Sequence, residues 1–269
     1  MAFFSQFPKV NYDFEGNGSF QRISDIFRSV RPQGNFIDNP SMYKKYQITN
    51  GDRPDVLSYK LYGTSIYYWT FFIVNDFLHD GIASWPMSQE DLQEYLVQNY
   101  SGTVIETRPT IEETGDGLIT NFRDSISGRF EIGETLNAST SSANGILVRK
   151  DSDLSQLVLK DVNGGSFKGN PETQLTEFVQ GASSGDSVAT YKVWDYAEAP
   201  AYWYLLSDPD KNPVTVDTVI PSGEPRNTCG YVSNQQRVIA RNDARSQIRV
   251  IDPPYIEQFA EEFEEIINA

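Results

Sequence analysis

Apolar and polar positions change texture along the chain, and the most patterned stretch runs from Asn50 to Asp76. Tyr46–Ile48 reads as a short strand, closed by the turn pair Asn50-Gly51. Asp52 follows as a predicted helix N-cap, with Pro54 tolerated in the first turn. Val56, Leu57, Lys60 and Leu61 keep helical spacing, and Gly63 supplies a left-handed stop. Thr64 or Ser65 then caps a second helix, in which Tyr67, Tyr68, Trp69, Phe71, Phe72, Ile73 and Val74 leave almost no polar face. A helix apolar all round is covered on all sides, by its own domain or by a partner. Ser88 to Tyr100 opens with Ser88-x-x-Asp91, an acidic form of the capping box, and continues as a helix through Leu92, Tyr95 and Leu96.

Beyond about residue 103 the period shortens. Phe130–Leu136, Gly145–Arg149 and Leu157–Leu159 read as strands, the first with a bulge-prone Gly133. Asn144-Gly145 and Asn163-Gly164-Gly165 are turn signals, and the short strand spacing points to a small barrel or sandwich. From about residue 196 the texture is again aromatic, then helical. Val232–Ser246 is predicted helical, with Arg237, Arg241 and Arg245 on one face and Arg249 continuing the stripe. Gln247–Ile251 is a candidate strand, ended by Pro253-Pro254. Ile256, Phe259, Phe263, Ile266 and Ile267 then form one apolar stripe at spacings of three and four, with glutamates on the remaining face.

Composition narrows the chemistry. The chain has 269 residues, 39% hydrophobic and 13% aromatic, enough for a large core or several small ones. One cysteine, Cys229, and one histidine, His79, rule out an intrachain disulfide, Cys₄ and Cys₂His₂ zinc sites, and HExxH. A net charge of −15 argues against binding a phosphate backbone. The N-terminus lacks the apolar core and cleavage site of a signal peptide, and no window has the apolar length of a membrane span. Asp208-Pro-Asp210-Lys-Asn212 imitates the start of a calcium loop, but Pro213 and Val219 occupy its glycine and glutamate positions, so a turn is the expectation. No nucleophile elbow, phosphate loop or dinucleotide fingerprint is present. No catalytic, cofactor or metal residue is therefore named, and the chain reads as a non-enzyme. The arginine stripe has two readings: contact with an acidic partner or phosphate, or a solvated or internally paired face, with the acidic tail helix as the local mate.

The segment Gly51–Asp76 resembles a LysM domain in its strand, Gly51-Asp52, Leu57, Tyr62-Gly63-Thr64-Ser65 and Asn75. That resemblance implies a βααβ fold and binding of N-acetylglucosamine polymers such as peptidoglycan. A resemblance over roughly residues 20–100 and 235–267 is closer. Asp25-Ile26-Phe27-Arg28, Arg53-Pro54-Asp55-x-Leu57, Tyr62-Gly63, Tyr68-Trp69, Val74-Asn75-Asp76, and Arg245-x-Gln247-Ile248-Arg249-Val250-Ile251 before Ile256-x-x-Phe259 resemble the LysM-containing baseplate wedge subunit of T4-like contractile-tailed phages. That resemblance implies a structural protein of the virion, assembled in the host cytoplasm, which completes the wedge and helps join neighbouring wedges. The β-rich middle departs from it and reads as an insertion.

The expected fold is α+β. It comprises an extended N-terminal arm (1–45), a LysM-like βααβ domain (46–102), an inserted all-β barrel or sandwich (103–195), and a C-terminal segment with a strand and an amphipathic helix (196–269). The expected partners are other wedge proteins, with neither nucleic acid nor membrane; peptidoglycan is the alternative. Ile26, Phe27, Tyr67, Tyr68, Trp69, Phe72, Ile256, Phe259 and Phe263 are the candidate partner-interface residues, because aromatic side chains dominate interface hot spots.

Overall fold

The computed structural model describes residues 7–25, 40–107, 110–114, 117–121, 126–170, 173, 175–214 and 229–268. The chain forms two compact units: unit 1 is residues 1–92 with 240–269, and unit 2 is residues 93–239. The breaks between these units fall at 92/93 and 239/240.

In chain order, unit 1 opens with β1 (Lys9–Tyr12), β2 (Gln21–Ser24), β3 (Tyr43–Gln47) and helix α1 (Pro54–Tyr62). A 3-10 helix, Ile66–Trp69, leads into α2 (Thr70–Val74), and α3 (Gln89–Asn99) contains the first break. Unit 2 continues with β4 (Thr103–Thr107), β5 (Thr110–Thr114), β6 (Gly117–Asn121), β7 (Thr135–Ala138), β8 (Asn144–Asp151) and β9 (Gln156–Asn163). Next come β10 (Gly169–Asn170), β11 (Leu175–Thr176), β12 (Phe178–Gly181), β13 (Ser187–Asp195), β14 (Pro200–Leu205) and β15 (Cys229–Ser233). Helix α4 (Asn234–Ser246) contains the second break, and β16 (Gln247–Ile251) and α5 (Ile256–Asn268) return to unit 1.

Unit 2 resolves the choice between barrel and sandwich. Its strands close in the order β12-β13-β4-β9-β8-β7, all antiparallel. Closure leaves no open edge in this sheet. Side chains alternate across the wall: Ile105, Leu157 and Leu159 join Leu136, Leu147, Val179 and Val188 in the interior, while Val104 and Val158 pack outside with Tyr196 and Ala199. Gly102 has φ +121, and a Cβ there would lie 2.4 Å from the Leu159 carbonyl oxygen, so only glycine fits beside β9. The expected strand Phe130–Leu136 is mostly a turn. Phe130 and Gly133 take positive φ, and strand structure begins at Thr135.

Two buried glutamates hold the barrel's loops. Glu177 accepts hydrogen bonds from the N–H and hydroxyl of both Thr140 and Ser141, and from the Lys168 N–H at 2.6 Å. Glu134 accepts from the N–H groups of Glu131, Ser183 and Ser184 and from the Ser184 hydroxyl. Burial alone would raise both pKa values; the converging donors outweigh it and hold both carboxyls below their ordinary range.

In unit 1, β3, α1, α2 and β16 follow in the order β-α-α-β, with α3 and all of unit 2 between α2 and β16, so the closing strand comes from the far end of the chain. Strand β16 pairs antiparallel with β3, with Gln247 opposite Gln47 and Arg249 opposite Lys45. One core gathers Ile48, Leu57, Phe71, Leu78, Trp85, Ile248 and Val250. Helix α1 ends as expected: Gly63 is left-handed at φ +73 and its N–H bonds the Tyr59 carbonyl. Its start differs. Arg53 is the N-cap residue and makes no side-chain cap bond, while the Asp52 carboxylate instead receives the Thr49 hydroxyl and the Lys60 ammonium. The aromatic segment is not one helix either, because a 3-10 turn precedes five α-helical residues. The Ser88 cap holds: its hydroxyl receives the Asp91 N–H at 3.1 Å. The arm contains a hairpin, β1 with β2, whose turn is organised by the Asp13 carboxylate on the N–H groups of Glu15, Gly16 and Gly18.

Candidate functional site

The apolar stripe of α5 is consumed inside unit 1. Ile256, Phe259, Phe263 and Ile267 are buried with Trp69, Ile251 and Phe7 in a second core. The Trp69 ring lies 6.1 Å from Phe259, nearly stacked, and 4.8 Å from Phe263. The two segments read from sequence as separate docking surfaces therefore cover each other. Trp69, Ile256, Phe259 and Phe263 are buried inside unit 1. Phe72 is half-buried against Trp85, with ring centroids 5.6 Å apart. Tyr67 and Tyr68 are half-buried at the margin of the second core. Ile26 and Phe27 lie outside the described residues.

Polar groups in this region are structural. The Tyr62 hydroxyl donates to the Ile251 carbonyl at 2.9 Å, and burial pushes its pKa up. Asn75 ends α2, as the sequence predicts, and its side chain also acts as an extra strand residue. Its Oδ1 accepts the Arg249 N–H at 2.8 Å and its Nδ2 donates to the Arg249 carbonyl at 2.9 Å, which satisfies the outer edge of β16. The same Nδ2 also donates to the Phe71 carbonyl.

The exposed surface of unit 1 carries apolar side chains that its cores do not use. On α1 these are Val56 (44% exposed) and Tyr59 (65%), followed by Ile66 (41%). The hairpin arm exposes Tyr12, Phe14 and Phe20. Sequence reading missed both groups. Val56 and Tyr59, three residues apart, were the available signal on α1, and Asp13 with Gly16 and Gly18 was the signal for the hairpin.

Among the described residues no group of His, Cys, Asp and Glu could hold a metal ion. His79 is exposed, with Nδ1 3.1 Å from the Asp76 carbonyl oxygen. Cys229 is buried in a small cluster with Trp203. Asp208 closes a turn on the N–H groups of Asp210 and Asn212, as expected in place of a calcium loop. Arg237, Arg241, Arg245 and Arg249 make no ion pair with the tail glutamates among the described residues. No described helix is long and apolar enough to cross a membrane.

Singly exposed apolar side chains are common on folded surfaces and do not by themselves define a binding site. The family comparison bears on the role: residues 1–116 match the family model described as Base plate wedge protein 53. The match covers just under half of the 269-residue chain and supports a structural role in a phage baseplate, and with it a place in the virion tail. No curated protein matches the chain.

Proposed function

We propose that this protein is a structural wedge component of a contractile-tail baseplate that joins wedge subunits during assembly. The observation that carries this reading is the match of residues 1–116 to the baseplate wedge family, which takes in the entire N-terminal part of unit 1. The wedge resemblance of residues 235–267 fits the same picture, since β16 and α5 complete unit 1. Unit 1 is then a LysM-like platform retained for its packing. Partner wedge proteins would dock on Tyr59, Ile66, Tyr67 and Tyr68, and the arm with Ile26 and Phe27 would extend the contact. The barrel is an insertion within the platform, available for a further contact.

The test is assembly with Tyr59→Glu and Ile66→Glu combined. Both side chains are exposed, so the chain should fold normally while complete baseplates fall at least tenfold by electron microscopy. Normal assembly with this variant would remove α1 from the interface. The βααβ order also keeps the glycan reading in view; saturable pulldown on purified peptidoglycan would favour that alternative.

A further inference from the structure

Lys45 and Arg249 are direct cross-strand neighbours in the β3–β16 pair, and both are exposed. Like charges placed opposite each other in a sheet repel and destabilise it. Neither forms an ion pair among the described residues, although the chain carries 37 acidic residues against 22 Lys and Arg. The adjoining pair, Gln47 opposite Gln247, adds two amides, of which the Gln47 Nε2 already donates to the Ser246 hydroxyl. Beside them opens a cavity of about 600 Å³, lined by Lys45, Gln47, Asp76, Phe77, Gln247 and Arg249 among others. Phe77 is 43% exposed, a large apolar wall that no core uses. Asp76 is the one carboxylate lining the cavity, and it bridges neither cation.

Two unbridged cations, two amides and an apolar wall around one opening are complementary to a carboxylate-bearing chain. We propose that this cavity docks an acidic segment of a partner protein. One carboxylate would sit between Lys45 and Arg249, and an apolar neighbour on the same segment would lie against Phe77. Guanidinium geometry suits bidentate carboxylate capture, and the repulsion between the two cations is relieved when the anion arrives. The edge of β16 at Arg249 is already satisfied by Asn75, so at that position recognition runs through side chains rather than strand addition. The site goes beyond the wedge assignment and does not depend on it. The contact surface invoked for wedge packing lies on α1 and the aromatic segment, so either can fail alone.

The experiment uses the full chain and a fluorescein-labelled peptide of alternating Glu and Asp around one Phe, with its Gln/Asn counterpart as control. Fluorescence anisotropy should show saturable binding of the acidic peptide, at least tenfold tighter than the control. Arg249→Gln should weaken it at least tenfold. Lys45→Glu should abolish it while raising the Tm of the unit 1 transition by about 1–3 °C, because it turns a repulsive cross-strand pair into an attractive one. Equal binding of both peptides, unchanged binding by the variants, or a lower Tm for Lys45→Glu would overturn the proposal. Displacement of the peptide by inorganic phosphate at equal concentration would also overturn it, leaving a simple anion site; so would self-association of the chain that Arg249→Gln abolishes, which would make a second copy the occupant.

Discussion

At the scale of single residues, short-range chemistry was readable and long-range partners were not. Gly63 as a left-handed helix stop and Ser88 as a cap depend on neighbours within a turn, and both hold. Asn75 also ends its helix as read, but nothing local showed that its carboxamide would mimic a strand residue for Arg249, 174 positions away. The two glutamates that organise the barrel loops could not be singled out either, because Glu177 gathers donors from positions 140, 141 and 168. Their value can be measured. Glu177→Gln leaves a neutral amide that cannot accept all of these donors, and it should destabilise unit 2 by about 2–4 kcal/mol at pH 7 in urea unfolding. The sign with pH follows from the depressed pKa. A carboxylate held below its ordinary value in the folded state contributes stability that is complete above the unfolded pKa and is lost as pH falls through the folded one. The gap between wild type and variant should therefore be constant from pH 7 to about 5.5 and shrink below pH 4.5; a gap independent of pH down to 3 would mean the charge contributes nothing.

At the scale of elements, periodicity identified what would be buried but not against what. The stripe of α5 is buried at Ile256, Phe259, Phe263 and Ile267, as its spacing required. The aromatic run at 67–74 needed a cover, and α5 supplies part of it. Sequence distance hid the pairing: each segment by itself had an apolar face to spare, and a partner protein was the simplest cover for both. The run also breaks into a 3-10 turn and a short helix, because Trp69 turns towards α5 while Phe71 enters the other core. This pairing changes what a truncation would mean. Removing residues 253–269 takes the Phe259 and Phe263 rings away from Trp69 and should unfold unit 1, so failed assembly would not isolate a docking role. Phe259→Ala is the milder probe, with an expected loss of about 3–5 kcal/mol in the unit 1 transition. Tryptophan emission should shift to the red at lower urea than in wild type, and an unchanged midpoint would place Phe259 outside the core.

At the scale of the whole molecule, the order of textures foretold a mixed α+β chain with a β-rich middle. The six-stranded barrel is the form that middle takes. What the chain order concealed is that β3 waits some two hundred residues for its mate: Tyr43–Gln47 pairs with Gln247–Ile251, so unit 1 exists only when both ends of the chain have met. A composition shift marks where texture changes, near 103 and 195, whereas compactness follows contacts, which divide at 92/93 and 239/240. The baseplate assignment rests on residues 1–116, and the location of the protein in the particle tests it most directly. Purified virions of the phage encoding this chain should be separated into heads, tail tubes with sheath, and baseplates, and each fraction quantified by mass spectrometry. The protein is expected in the baseplate fraction at a fixed ratio to the other baseplate proteins; its absence from virions, or an even spread over all fractions, would contradict a wedge role.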